Sequence, residues 1–314
     1  MQRKRAGTRL PEKPFPIGHN AAPAAPSGAA FVAMEPKQMP TSRLFRQLAG
    51  AAACTAALLT FSATLAADVD PALAAAVASP ARSAKFVARD AARHPAEELA
   101  FLGLKPGQTV VELSPGGGYW TEILAPYVNK GHGRYIAALS PIVKDGEENA
   151  STERWLVALA SRQPDYGAVG IGWLAPSQVE FAAPGSVDLI VTFRNLHNWM
   201  NDGSVDKILA ACFTALKPGG VLGVEAHRGR TDKPQDPKAD SGYVREDYAI
   251  ELIKKAGFRL VAKSELLANP RDTKDYKEGV WTLPPTLTLG EQDRAKYVAI
   301  GEADNFLLKF EKPR

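Results

Sequence analysis

Val110-Val111-Glu112-Leu113-Ser114-Pro115-Gly116-Gly117-Gly118-Tyr119-Trp120 decides the reading of this chain. An apolar strand ends in an acidic residue, passes through a glycine turn and opens an amphipathic helix over 119–128. Such a turn lets the main chain approach a ligand closely and aims unpaired helix N–H groups at it. The plainer alternative is a glycine-rich connector with no ligand. It has to bear the chain entropy of three successive glycines at a strand end.

Outward from this stretch, strands and helices alternate. The strand over 109–113 leads to the helix, a strand over 134–139 leads to a helix over 152–162, and a short strand falls near 168–171. A strand over 187–193 leads to a helix over 205–216 that stops at Lys217-Pro218-Gly219-Gly220. A strand over 221–226 then leads to a helix over 245–256, ended by Gly257. The near-continuous apolar runs Val187-Asp188-Leu189-Ile190-Val191 and Val221-Leu222-Gly223-Val224 suit a sheet covered on both faces. The pattern predicts an α/β, doubly wound, mostly parallel seven-stranded sheet. The segments 259–267 and 305–311, separated by a long insert containing Pro and Gly, predict an antiparallel pair closing the sheet edge. One or two helices over 71–102 form an N-terminal helical cover, and no internal repeat or second-domain boundary interrupts 68–314.

The N-terminal part reads differently. Residues 1–40 are rich in Pro, Ala and basic groups without an apolar period, so they are disordered or precede a true start at Met34 or Met39. Arg43 and Arg46 before an uncharged run over 48–67 that ends in small residues give, over 41–67, a signal peptide, and predict an exported, periplasmic protein. The alternative is an uncleaved membrane anchor; nothing else suggests a membrane. Residues 1–66 hold eight basic and two acidic groups, so the 248 residues from Ala67 on carry 30 basic against 32 acidic groups. The basic character belongs to the leader and gives no reason to expect nucleic acid. Cys54 and Cys212 are the two cysteines. Cys212, in a helical pattern, is expected to be a core residue; no zinc spacing is present, and no metal is expected.

The order of motifs resembles class I S-adenosylmethionine-dependent methyltransferases. The loop Glu112-x-Ser114-x-Gly116-x-Gly118 is similar to that family's glycine loop, Pro184-Gly185-Ser186-Val187-Asp188-Leu189-Ile190 to its fourth strand, and Leu216-Lys217-Pro218-Gly219-Gly220 to the turn before its fifth. The chain also resembles a group of bacterial methyltransferases with export signals, through Arg89-Asp90-x-x-Arg93-x-Pro95, Phe101-Leu102-Gly103-Leu104-Lys105-Pro106-Gly107 and Thr192-Phe193-Arg194-Asn195-Leu196-His197-Asn198-Trp199. The resemblance implies a Rossmann-like fold, S-adenosyl-L-methionine as cofactor and methyl transfer to a small-molecule substrate. It implies that Gly116, Gly117 and Gly118 hold the methionine and ribose part of the cofactor, with Glu112 fixing the turn or the amino group. Two departures are visible. Ser114 stands for the first glycine, and the second strand ends at Ser140 where the family has a ribose-binding carboxylate, with Asp145 the nearest acid. Trp173, in the adenine-side loop, is a stacking candidate.

Five polar or aromatic residues leave the strand at 187–193 together. His197 is a candidate general base, since its unperturbed pKa lies near neutrality. Asn195 is a candidate to orient the nucleophile, and Arg194 and Trp199 to line the substrate site; lining the site or capping a turn are the plainer roles for His197. His227 and Arg228, after the next sheet strand, and Tyr243 are further substrate-facing candidates. The loop over 231–242 reads as a lid or a solvated linker, and Arg89 with Arg93 as a surface pair or part of the pocket's cover. A catalytically inactive ligand-binding or accessory protein is the alternative function, because the ribose carboxylate is missing and the cofactor is made in the cytosol. A nucleotide-dependent oxidoreductase fits less well, because G-x-G-x-x-G lacks its last small residue near Trp120 or Thr121. The acceptor and the oligomeric state are not written in the sequence.

Overall fold

Alternating side chains sort each central strand onto two faces, and that sorting builds the molecule. The computed structural model describes residues 69–144 and 147–314; the leader at 41–67, the segment 1–40, Cys54 and Asp145 lie outside them. The strands are β1 (Thr109–Leu113), β2 (Arg134–Leu139), β3 (Val143–Lys144), β4 (Glu147–Glu148), β5 (Val169–Leu174), β6 (Val179–Glu180), β7 (Val187–Phe193), β8 (Leu216–His227), β9 (Arg259–Ser264) and β10 (Asn305–Glu311). The helices are α1 (Pro71–Val77), α2 (Ala84–Val87), α3 (Asp90–Arg93), α4 (Pro95–Leu102), α5 (Thr121–Lys130), α6 (Ala150–Tyr166), α7 (Leu196–Asn201), α8 (Val205–Ala215), α9 (Glu246–Lys255) and α10 (Arg294–Ile300).

The main sheet has the order β6-β5-β2-β1-β7-β8-β10-β9, and β3 and β4 pair separately. β5, β2, β1, β7 and β8 run parallel, while β10 runs antiparallel to both β8 and β9, so β9 shares the direction of the parallel strands. The Rossmann-like, doubly wound fold and the closing antiparallel pair are therefore present. The expected seven strands become eight, because two residues after β5 turn back and pair antiparallel as β6. That turn is too short for an apolar period to reveal it.

Val111, Leu113, Ile136, Ile190 and Val224 pack on one face against α7, α8 and α9, with Cys212 fully buried among them. Val110, Tyr135, Leu189, Val191 and Leu307 pack on the other against α1, α4, α5 and α6. Four short helices, rather than one or two, form the N-terminal cover. His94, at φ 45°, and Pro95 break the run. The Lys217–Gly220 turn ends α8 as expected, but it lies within β8: pairing with β7 begins at Val187 with Leu216, skips the turn and resumes at Leu189 with Val221. Asp188 secures this entry by accepting from Lys217 Nζ at 2.6 Å and from the Thr109 amide at 2.8 Å.

β10 lies inside the sheet, so its side chains are core on both faces. Leu307→Ala should cost about 2–5 kcal/mol through lost burial and the cavity left behind. Val261→Ala, on the half-open edge strand β9, should stay within about 0.5 kcal/mol. Urea unfolding of the two variants checks the contrast.

Candidate active site

The carboxyl ends of β1 and β7 diverge into the two loops that open the site. Ser114 and Arg194, the residues that leave these strands, take left-handed backbone conformations at φ 50° and 63°. That region is uncommon for residues with a Cβ and persists where surroundings enforce it. The enforcing group is Asn195. Its Nδ2 lies 3.2–3.4 Å from the carbonyls of Leu113, Ser114 and Phe193 and from Thr192 Oγ1. Asn195 therefore clamps the two strand ends together, and its amide nitrogen is spent on the main chain rather than offered to a nucleophile.

A cavity of about 340 Å³ opens between the glycine loop, the cover, the end of β7 and the insert between β9 and β10. This is within the usual range for small-molecule sites. A second cavity, of about 280 Å³, opens beside it under the ends of β2 and β5. Ser114, Asn195 and Asn198 line both. Gly116 has φ 57°, and a Cβ placed there meets nothing within 4 Å, so the loop faces open space. The Gly118 amide closes the turn onto the Pro115 carbonyl at 3.0 Å, while the Gly116 and Gly117 amides have no acceptor among the described residues. Gly118 lines neither cavity and packs near Thr121 and Trp155.

Glu112 is buried below this loop. It accepts from Thr121 Oγ1 at 3.0 Å and from the Tyr135 hydroxyl. Burial pushes its carboxyl up to about 7, although both hydrogen bonds oppose the rise. Of its two expected roles, fixing the turn is the one these bonds perform, by joining β1, β2 and the start of α5.

Of the remaining candidates, Arg194, His197 and His227 line the larger cavity, and Ser140 and Trp199 the smaller. Three candidates are displaced from both. Trp173 packs from β5 into the apolar layer shared with α5 and α6, because strand alternation puts it on that face. Arg228 is held at the sheet edge by Glu246, Glu265 and Asp304. Tyr243 is buried, donating to Asp272 at 3.0 Å, and backs His227 at a ring distance of 6.4 Å. The 231–242 loop does not roof the larger cavity either. Val280, Trp281, Pro284, Pro285 and Thr286 of the insert do. Among the described residues no helix is long and apolar enough to cross a membrane.

Strand register produces a polar column that sequence reading missed. Glu225, His227 and Asn305 lie on the same sheet face of β8 and β10, beneath the cover. Asn305 Nδ2 donates to Glu225 Oε1 at 2.9 Å, and Asn305 Oδ1 lies 2.7 Å from His227 Nδ1. With its amide nitrogen on Glu225, Asn305 turns its oxygen, which can only accept, to the imidazole. The proton of neutral His227 is thereby placed on Nδ1, which leaves Nε2 as an acceptor. Burial, then Arg194 and His197, hold His227 well below its ordinary pKa. Burial and Arg194 bring His197 down to about 4, and its Nδ1 is buried without a partner.

Both oxygens of Glu98 and Glu225 Oε2 are also buried without partners. Burial first and the charge of Glu225 second push the Glu98 carboxyl well above the usual range. A carboxyl raised in this way favours its protonated form, which carries an O–H donor.

Comparison with protein-family models gives no match, and comparison with curated proteins gives none. Several solved structures are similar to the chain. An S-adenosylmethionine-dependent methyltransferase from Aquifex aeolicus is 16% identical over 72% of this chain and 93% of its own, with a TM-score of 0.48. The [4+2]-cyclase SpnF is 15% identical over 77% and 91%, with a TM-score of 0.48. The arsenic(III) S-adenosylmethionine methyltransferase CrArsM from Chlamydomonas reinhardtii is 14% identical over 78% and 74%, with a TM-score of 0.45. These likenesses are of fold only, and the chemistry has to come from the cavities themselves.

A carboxyl protonated in the folded state but ionised when unfolded lowers stability as pH rises above its unfolded pKa. Glu98→Gln keeps a neutral donor and removes that penalty. Its stability relative to the parent should therefore increase from pH 5 to pH 8, as read by paired thermal melts.

Proposed function

We propose that the chain binds S-adenosyl-L-methionine and transfers its methyl group to a small-molecule acceptor. The observation that carries this reading is the glycine loop: two main-chain amides without acceptors among the described residues, in the turn that leads into α5, beside a cavity that adjoins a second one under β2 and β5. Gly116 and Gly117 would hold the amino-acid end, since free main-chain amides in a turn suit a carboxylate. Ser114 and Ser140 would line the passage to the nucleoside end in the smaller cavity. Asp202 also lines that cavity; its Oδ1 accepts from the Ser204 amide at 2.9 Å, and its Oδ2 has no hydrogen-bond partner. It supplies a carboxylate where the end of β2 supplies Ser140, reaching the site from the turn after α7. When bound, the cofactor would supply a methyl group made electrophilic by its sulfonium.

Against that methyl group the chain has to orient an acceptor and take its proton. His227 is the better placed base. Asn305 fixes its tautomer, Glu225 holds Asn305, and the free Nε2 is the atom that would take the proton. His197, with its ring 5.6 Å away and its own Nδ1 unpartnered, would shape the acceptor's seat beside Trp281. Asn195 positions both loops. Much of the rate would come from this alignment.

Isothermal titration with S-adenosylmethionine and S-adenosylhomocysteine should show saturable binding of both. Gly117→Arg, which fills the loop's open side, should weaken it at least about tenfold without changing the melting temperature. No binding up to millimolar concentration would sink the proposal; tight binding with no transfer to any acceptor would leave an accessory protein. We propose further that the chain is exported through the 41–67 leader. N-terminal sequencing of the recovered protein should begin near Ala67, and an intact leader would point to an anchor.

A further inference from the structure

The walls of the larger cavity carry more positive charge than the proposed chemistry requires. Arg89 and Arg93 enter from the cover and Arg194 from the end of β7, and all three meet Glu302 of the insert. Arg89 spans Glu302 with Nε at 2.7 Å and Nη2 at 2.9 Å, Arg93 Nε lies at 3.2 Å, and Arg194 Nη1 lies at 3.1 Å. One carboxylate thus serves three guanidinium groups. The other acids nearby do not close the gap. Glu225 approaches Arg194 at 3.9 Å, and burial with the charge of Glu225 pushes the Glu98 carboxyl well above the usual range. Glu112 is turned to Tyr135 and Thr121.

Arg93 is the most telling of the three. Its side chain is 4% exposed, Nε is its only hydrogen-bonding atom among the described residues, and neither Nη is among the buried atoms lacking a partner. The two Nη groups of this cavity-lining residue therefore keep some exposure and free donors among the described residues. Tyr119 stacks against its guanidinium at 4.4 Å and fixes the plane. Burial and the neighbouring Arg194 lower its pKa to about 10, so it stays charged at neutral pH. The surrounding wall is aromatic: Trp120 and Phe193 stack at 4.0 Å, with Phe86 edge-on to Tyr119 and Trp281 edge-on to His197.

We infer that the acceptor is a flat, unsaturated carboxylate, anchored through its carboxylate by Arg93 together with Arg89 and Arg194 and sandwiched by the aromatic wall. This rests on the methyl-transfer reading of the same cavity. A carboxylate also belongs to the amino-acid end of the proposed cofactor, but the glycine loop already offers that group two free amides. The arginines stand on the other walls, gathered by the insert. A planar fork with open Nη groups suits bidentate carboxylate recognition.

Benzoate and its neutral isostere benzamide separate charge from shape. Titrated into the whole protein, benzoate should bind saturably and roughly tenfold more tightly than benzamide. Arg93→Gln, and independently the more exposed Arg89→Gln, should shrink that preference while S-adenosylmethionine affinity stays within about twofold. Two variants are used because Arg93 is buried, and thermal melts show which of them is folded. Equal binding of benzoate and benzamide would overturn the inference. So would variants that lose S-adenosylmethionine and keep the benzoate preference, since the arginines would then serve the cofactor's carboxylate. A benzoate preference that depends on Arg93, in a protein that binds no S-adenosylmethionine, would leave the anion site standing and remove the methyl-transfer reading.

Discussion

The cavity depends on the carboxylate of Glu302. Its three arginine partners come from segments far apart in sequence, two on the cover and one at the end of β7, while Glu302 itself arrives with the insert before β10. Burial pushes this carboxyl up, but hydrogen bonds from Arg89 and the charges of Arg93 and Arg194 outweigh it and hold it below its ordinary pKa. Groups this sheltered are costly to leave unpaired: removing one partner of a buried pair typically costs about 3–5 kcal/mol. The three walls are therefore held to one another by charge as well as by packing. Without Glu302, three guanidinium groups would crowd one small space, and the cover and the insert would be pushed apart.

The same logic runs beneath the cover. A sheet face that packs against helices is normally apolar, yet β8 and β10 present Glu225, His227 and Asn305 there. Each polar atom in such a place needs a partner. The chain meets that need in series, from Glu225 to Asn305 to His227, and the series leaves one imidazole nitrogen free at the cavity. The cost is visible in Glu98 of α4, whose carboxyl burial and the charge of Glu225 push well above the usual range. Local structure, energetics and the proposed chemistry thus share one set of side chains.

Much of the fold was legible because it follows local rules. The apolar strands, the glycine turn after Glu112 and the Pro-Gly-Gly turn before Val221 each announce themselves within ten residues, and β7 and β10 fall where the pattern places them. The residues leaving β7 stand out by their polarity and by the family resemblance, and Arg194, His197 and Asn198 line the larger cavity. What failed had distant causes. Arg228 reads as a substrate group until the acids of α9 and the insert close around it. Trp173 reads as a stacking ring until strand alternation turns it to the other face. Asn195 has the chemistry of an orienting residue, but the two strand ends it clamps are 80 residues apart, so no spacing signals the clamp. The insert, read as a connector, supplies the roof and Glu302. Asn305 sits at the first position of an apolar strand, and only the register with β8 sets it between Glu225 and His227.

The sheet order has a consequence for the birth of the molecule. β10 occupies an interior position, yet it is made after both strands that flank it. While synthesis has reached only as far as Ser264, β8 and β9 have no strand between them, and each presents an open ladder of main-chain groups. Such edges invite pairing with other chains. A nascent chain therefore carries its most adhesive surface through the whole time needed to make the insert, and folding ends by threading the final strand into a waiting slot. Glu302 stands three residues before that strand and pairs with the arginines, so the cavity and the finished sheet depend on the same late segment.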